Sequence, residues 1–283
     1  MWTETRTEMW TETRTMMWKD MLGVSIGNYQ IVEKIGQGGM GAVYRAIHKT
    51  LGRPAVVKVP LPAVSNAHEM NARLFNEARS ATSIRDPGIV EIYDFGVLPD
   101  RTAYIIMEFL EGESLSDHLH RAQRIPYLRA LQIVRAAART LHAAHEQGVI
   151  HRDLKPGNIF LVPDPELPTG ERVKLLDFGI AKHAVPAADH PRTQTGILMG
   201  TPPYMSPEQC RGTGRIDRRA DLYALGCVLY ELVCGRPPFT GTGAGEIIAH
   251  HLYVPPALPR SHDPRIPPTL ETLILWLDRK SDV

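Results

Sequence analysis

A chain of 283 residues with 43% hydrophobic and 22% charged residues has the composition of a soluble globular protein, long enough for one large domain or a two-lobed one. Its formal net charge of +1 excludes the electrostatic footprint of a nucleic-acid or anionic-membrane binder. Three scattered cysteines, Cys210, Cys227 and Cys234, exclude a disulfide framework and a paired-cysteine zinc site, and fit a reducing, cytoplasmic setting.

No run approaches the roughly 20 apolar residues of a membrane span. The nearest, from Leu222 to Cys234, carries Glu231 and reads as a buried core helix in which Cys227 and Cys234 are small apolar residues. The chain opens on a tandem octad, Met1-Trp2-Thr3-Glu4-Thr5-Arg6-Thr7-Glu8 and its near copy from Met9. Two copies cannot build a solenoid. Residues 1–25 are therefore read as a disordered extension, or as the product of an upstream start site, set before a domain spanning 26–283.

From Tyr29 to Ile35 the residues alternate like a half-buried strand and run into Gly36-Gln37-Gly38-Gly39-Met40-Gly41, after which Ala42 to Ile47 is strand-like again. Strand, glycine turn, strand is a hairpin. A dinucleotide-binding fold needs a helix after such glycines, so that reading fails. A third strand, Ala55 to Val59, carries Lys58 inside an apolar run, where a lysine either snorkels or has an anionic partner.

A helical pattern covers about 69–84, and Glu77 on it reads in isolation as a solvated charge. Asp86-Pro87-Gly88 breaks the chain before strands at Ile89 to Phe95 and Ala103 to Met107. Glu111-Gly112-Glu113 then links a small antiparallel lobe, about 29–110, to a mainly helical one, about 111–283.

The second half begins with helices at about 114–121 and 127–147 and reaches His151-Arg152-Asp153-Leu154-Lys155-Pro156-Gly157-Asn158. This polar loop packs two bases, an acid, a lysine and an amide between apolar runs, a density expected where charge is handled. The hairpin after it has a long, proline-rich connection from Pro163 to Glu171, and a strand at 173–176 leads into Asp177-Phe178-Gly179. Residues 180–200 lack periodicity, the mark of a functional or mobile loop. Asp221 is expected to N-cap the apolar helix that stops at Gly235. Beyond it the chain is proline-rich until a final helix expected near 269–278.

Taken in order, GQGGMGAV at 36–43, Val57-Lys58, Glu77, HRDLKPGN at 151–158, DFG at 177–179, SPE at 206–208 and Asp221 with Gly226 resemble the eukaryotic-like protein kinase superfamily, in its bacterial Ser/Thr branch. The resemblance implies an α+β, bilobal protein-kinase fold, a small antiparallel-sheet N-lobe with one key helix and a helical C-lobe. It also implies an enzyme that moves the γ-phosphate of ATP to Ser/Thr hydroxyls of proteins.

By the same resemblance, Lys58 binds the α- and β-phosphates and is held by Glu77. Ile35, Gly36, Gln37, Gly38, Gly39, Met40, Gly41, Ala42 and Val43 cover the nucleotide. Met107 is the gatekeeper, Glu108 to Leu110 the hinge, and Val43 with Phe160 sandwiches adenine. Asn158 and Asp177 hold magnesium, or manganese in its place. Asp153 orients the acceptor hydroxyl and takes its proton, while Lys155 and Thr201 mark Ser/Thr specificity.

Arg152 is expected to meet phosphate placed on Thr193 or Thr195 by autophosphorylation, through a transient homodimer. The chain is also expected to stop before the arginine that relatives pair with the Glu208 position. A broken buried pair of that kind costs about 3–5 kcal/mol. That ending suggests a fragment of a longer polypeptide, itself able to be membrane-anchored, or a coding sequence that ends early. A pseudokinase reading is disfavoured by the presence of Lys58, Asp153 and Asp177, and a small-molecule phosphotransferase by the long 180–208 segment.

Overall fold

The computed structural model describes residues 21–38, 41–60, 67–178, 201–212 and 216–277, with the side chains of 67–70, 72, 73 and 77 outside that description. The described chain divides into two compact units, residues 1–75 with 91–109, and residues 76–90 with 110–283. Gly39, Met40, Gly179, Thr193 and Thr195 lie outside the described residues.

The first unit is built on a six-stranded antiparallel sheet with strand order β1-β2-β3-β4-β6-β5. Its strands are β1 Ser25–Ile26, β2 Tyr29–Gly38, β3 Gly41–His48, β4 Pro54–Val59, β5 Ile92–Val97 and β6 Ala103–Glu108. Alternation along β3 and β4 delivers Ala42, Tyr44, Ala46, Ala55, Val57 and Val59 to one core, joined by Ile26, Ile31, Ile106 and Met21.

Two expectations are corrected here. Residues 21–25, grouped with the octad-bearing N-terminal extension, belong to the fold: Met21 is buried and Ser25 pairs with Gln30. The strand expected from Ile89 begins at Ile92 instead, because the backbone of Ile89 and Val90 pairs with Leu175 of the second unit's own hairpin.

Helix α1, Ala67–Ser83, contains the division between the units, which falls after Phe75. The second unit continues with β7 Glu113–Ser114, α2 Leu115–Ala122 and α3 Tyr127–Glu146. Ser114 caps α2 by accepting from Asp117 N at 3.1 Å. Glu113–Ser114 is thus more than a link, being the edge of a three-stranded sheet with β8 Ile159–Pro163 and β9 Glu171–Leu175.

Helices α4 Pro207–Arg211, α5 Arg219–Cys234, α6 Ala244–Tyr253, α7 Pro259–His262 and α8 Pro268–Leu277 follow. Helix α5 is apolar nearly all round and accordingly buried, Cys227 and Cys234 included. Burial pushes the Cys234 thiol up to about 12, so it stays a protonated core residue. Gly235 ends the helix at φ 76°, where a Cβ would lie 2.7 Å from Gln123 O.

The expected N-cap is corrected as well. Helix α5 starts at Arg219, and Asp221 sits in its first turn, fully buried. No helix among the described residues is long and apolar enough to cross a membrane.

Candidate active site

The catalytic-type loop gathers its polar groups within the second unit. Asp221 is its anchor: one carboxylate oxygen accepts Arg152 N at 2.7 Å, and the other accepts His151 N at 2.8 Å and meets His145 Nε2 at 2.7 Å. A fully buried carboxylate is tolerable only with such a complete set of donors. This is why an acid inside the first turn of α5 serves a loop about 70 residues earlier rather than its own helix end.

His151 is fully buried beside it, donating from Nε2 to Leu176 O at 2.9 Å and accepting Asp153 N at Nδ1 at 3.3 Å. Burial pushes its pKa down against the pull of Asp221 and Asp153, so the ring is neutral and its tautomer is set by these two bonds. Its ring packs on Phe178 at 4.8 Å between centroids.

Above this base stands the reactive-looking face. Lys155 Nζ donates to Asp153 Oδ2 at 2.9 Å and to Thr201 Oγ1 at 3.0 Å, and Thr201 Oγ1 donates to Asp153 Oδ1 at 3.2 Å. The triangle fixes a nearly buried carboxylate with a cation beside it and a hydroxyl across it. Asn158, in the 3-10 turn Pro156–Asn158, donates from Nδ2 to Asp153 O at 2.8 Å, and Leu176 N donates to Asn158 O at 2.9 Å. The amide is thereby oriented with its other end, a carbonyl oxygen, turned from Asp153. Asp177 follows at φ 52°, a left-handed backbone position uncommon for a side-chain-bearing residue.

Arg152 also lies at positive φ, 64°. Its carbonyl accepts Gln209 Nε2 at 2.8 Å, and Gln209 Oε1 in turn accepts Ser206 N at 3.0 Å. Ser206 is fully buried and forms a reciprocal capping box with Gln209 at the start of α4. Among the described residues Arg152 Nε is buried without a hydrogen-bond partner. Tyr204 donates to Glu231 Oε2 at 2.6 Å, and burial raises the pKa of both groups.

The other expected residues sit on the first unit's sheet or beside the hairpin. Ile35 and Gln37 on β2 are exposed, with Gly36 opposite Val43, Gln37 opposite Ala42 and Gly38 opposite Gly41. Lys58 is buried on β4, registered between Val43 and Ile105. Met107 is buried on β6, and Glu108 N donates to Glu91 O at 2.9 Å. Leu110 and Phe160, both half-buried, belong to the second unit. Glu77 lies on α1 with its side chain outside the description.

Three positioning residues have little signal in the sequence. His145 is one apolar-face position of a helical stripe, and Ser206 and Gln209 show only a serine followed three residues later by glutamine, the mark of a capping box.

A carboxylate held by a lysine and a threonine hydroxyl, beside an amide and a second aspartate, is a constellation for transferring a phosphoryl group to a hydroxyl. Comparison with known proteins agrees. The protein kinase domain family matches residues 29–279. Serine/threonine-protein kinase Pkn1 of Myxococcus xanthus is 42% identical over 256 residues, covering 90% of this chain and 36% of that protein. Serine/threonine-protein kinase PknA of Mycobacterium tuberculosis is 41% identical over 259 residues, covering 89% and 57%. The crystal structure of the Mycobacterium tuberculosis PknI kinase domain, in a doubly substituted form, superposes with a TM-score of 0.70 at 27% identity, over 92% of this chain and 90% of that one.

The chain belongs to the protein kinase family, in its bacterial serine/threonine branch. It spans between about a third and three-fifths of the length of these two curated relatives (36% and 57%).

Proposed function

We propose that this protein transfers the γ-phosphoryl group of ATP to serine and threonine hydroxyls of protein substrates. The observation that carries the reading is the Asp153–Lys155–Thr201 triangle. Asp153 accepts a hydrogen bond from the incoming hydroxyl, aligns its oxygen with phosphorus, and takes the proton as the O–P bond forms and the bond to ADP breaks. A carboxylate is a weak base, so alignment contributes more than proton affinity. Lys155 neutralises charge on the transferring oxygens, and Thr201 keeps both groups in register for a short hydroxyl side chain.

Lys58, with Glu77, takes the α- and β-phosphates, under the backbone of Gly36 to Val43. Met107, Glu108 and Leu110 meet adenine's edge, and Val43 and Phe160 its faces. The amide oxygen of Asn158 and the carboxylate of Asp177 are hard oxygen donors suited to a magnesium ion. That ion, when bound, supplies neutralisation of phosphate charge.

Arg152 pairs by charge-assisted hydrogen bonds with a phosphate that stays on Thr193 or Thr195, placed there from ATP by a second copy in a transient homodimer. A buried guanidinium nitrogen without a partner among the described residues supports this switch. The protein works in the cytoplasm, free or as part of a membrane-anchored parent.

The test is transfer of labelled γ-phosphate to the protein itself and to a generic protein substrate, wild type against Asp153→Asn. A fall of at least about 100-fold is expected for a lost positioned base, and equal signals overturn the assignment. Intact mass after incubation with Mg-ATP, with Thr193 and Thr195 replaced by alanine, tests the switch. It fails if phosphate number and activity are unchanged.

A further inference from the structure

The long connection after β8 has no part in phosphoryl transfer, yet it is built rather than loose. Asp164 N donates to Gly170 O at 2.9 Å, Gly170 N to Leu167 O at 2.8 Å, and Glu166 N to Asp164 Oδ1 at 3.0 Å. Arg172 clamps Asp164 from the next strand, Nε to Oδ2 at 2.8 Å. The loop therefore presents Leu167 and Pro168 as a fixed wall. Together with Pro87, Ile133, Ala136 and Val173 it lines a groove of about 550 Å³, wholly within the second unit. That volume is in the range of true binding clefts.

The opposite side is equally rigid. Asp86 Oδ1 accepts Gly88 N at 2.8 Å and Thr140 Oγ1 at 3.0 Å, and a Cβ on Gly88 would lie 2.0 Å from Thr140 Oγ1. The groove's charges are unequally satisfied. Glu171 is bidentate with Arg129 and Arg172 is paired with Asp164. Asp86 is engaged by the wall. Arg135 and Arg139, exposed on α3, pair with no carboxylate among the described residues.

We propose that this groove docks an extended acidic segment of a partner protein, separate from the residues that accept the phosphoryl group. Arg135 and Arg139 are one helical turn apart, about 6 Å along the helix axis. Alternate side chains of an extended peptide are about 6.6 Å apart on one face. Carboxylates at two alternate positions thus match the two guanidiniums, and an apolar side chain at the next alternate position reaches the surface made by Leu167 and Pro168. The preformed walls reduce the ordering that binding requires.

The test uses the full chain and a fluorescein-labelled peptide with glutamates at two alternate positions and a leucine at the next. Fluorescence anisotropy should show saturable binding, roughly tenfold weaker in the Arg135→Ala/Arg139→Ala double variant, the size expected for two exposed ion pairs. Autophosphorylation should be the same in both proteins. An Arg135→Glu/Arg139→Glu protein should instead prefer the peptide with lysines in place of glutamates, and Leu167→Asp should weaken both complexes. Equal binding of a neutral peptide, or undiminished binding by the alanine variant, overturns the proposal. So does binding confined to a phosphothreonine version, or a concentration-dependent dimer showing that a second copy fills the groove.

Discussion

The loop at 151–158 and the glycine hairpin hold their residues in opposite ways. In the loop, each key backbone group is tied by a side chain far away in sequence: Asp221 to His151 and Arg152, Gln209 to Arg152, His151 to Leu176. In the hairpin and the strand beside it, Gly36, Val43 and Lys58 are aligned by strand register, with ladder bonds between neighbours. A network of buried side-chain bonds fails at any one member, because each loss strands the others without partners. A ladder fails only where something prevents the strands from meeting. The two regions should respond differently to single substitutions.

The sharpest break of the comparison is Asp221→Ala. It strands two backbone N–H groups and a histidine, and should cost about 3 kcal/mol or more, roughly 10 °C in Tm, together with phosphoryl transfer. Differential scanning calorimetry and a kinase assay read both. A Tm within 2 °C or so of wild type would mean that the loop is held by its packing instead.

In the hairpin the effect depends on which glycine changes. A Cβ on Gly41 would stand 2.3 Å from Val59 O, so Gly41→Ala forces strands β3 and β4 apart and should cost about 1–3 kcal/mol. A methyl group on Gly36 would meet nothing within 4 Å. Gly36→Ala should leave stability within about 0.5 kcal/mol and change only the KM for ATP. Equal destabilisation by both would contradict the register account.

That contrast also explains what can be read from the chain. The hairpin, Lys58 in its apolar run, and the stop of α5 at Gly235 are local patterns, visible as alternation, glycine spacing and a left-handed cap. The loop's chemistry is visible as residue types in order. Its support is not: Asp221 reads as a helix cap from its neighbours alone, and only the fold brings His151 and Arg152 to it. Strand β1 has two residues, too few for a periodic signal. Helix α6, Ala244–Tyr253, starts behind glycines and ends before prolines, so its ten residues are hidden in what reads as proline-rich chain.

Thr201 sharpens the comparison within the loop itself. It bonds Asp153 and Lys155 but is only half-buried, so its loss removes alignment and little packing. Thr201→Val removes two hydrogen bonds to charged groups and should lower kcat at least about tenfold, with Tm within a few degrees. Thr201→Ser should recover most of the rate. A large Tm loss in the valine variant would place Thr201 among the structural ties instead.

The smallest effect belongs to a half-buried charge network at the edge of the small sheet, where register places the backbone of Glu113 but not its side-chain partners. Glu113 accepts Arg121 at 2.7 Å and meets His118 Nδ1 at 2.8 Å, and these bonds, Arg121 first, hold its carboxyl down at about 2. Its folded-state pKa is depressed from 4.5, so the unfolded chain takes up the proton first on acidification. The stabilisation is therefore complete above about pH 4.5 and fades as pH falls toward about 2. Glu113→Gln should lower Tm by no more than about 3 °C at pH 7, as expected of a partly exposed pair. In urea titrations the gap between variant and wild type should hold from pH 6 to about pH 4.5 and narrow from there to pH 3. A gap that stays constant with pH would show that Glu113 acts through packing, as the buried loop does, and not through its charge.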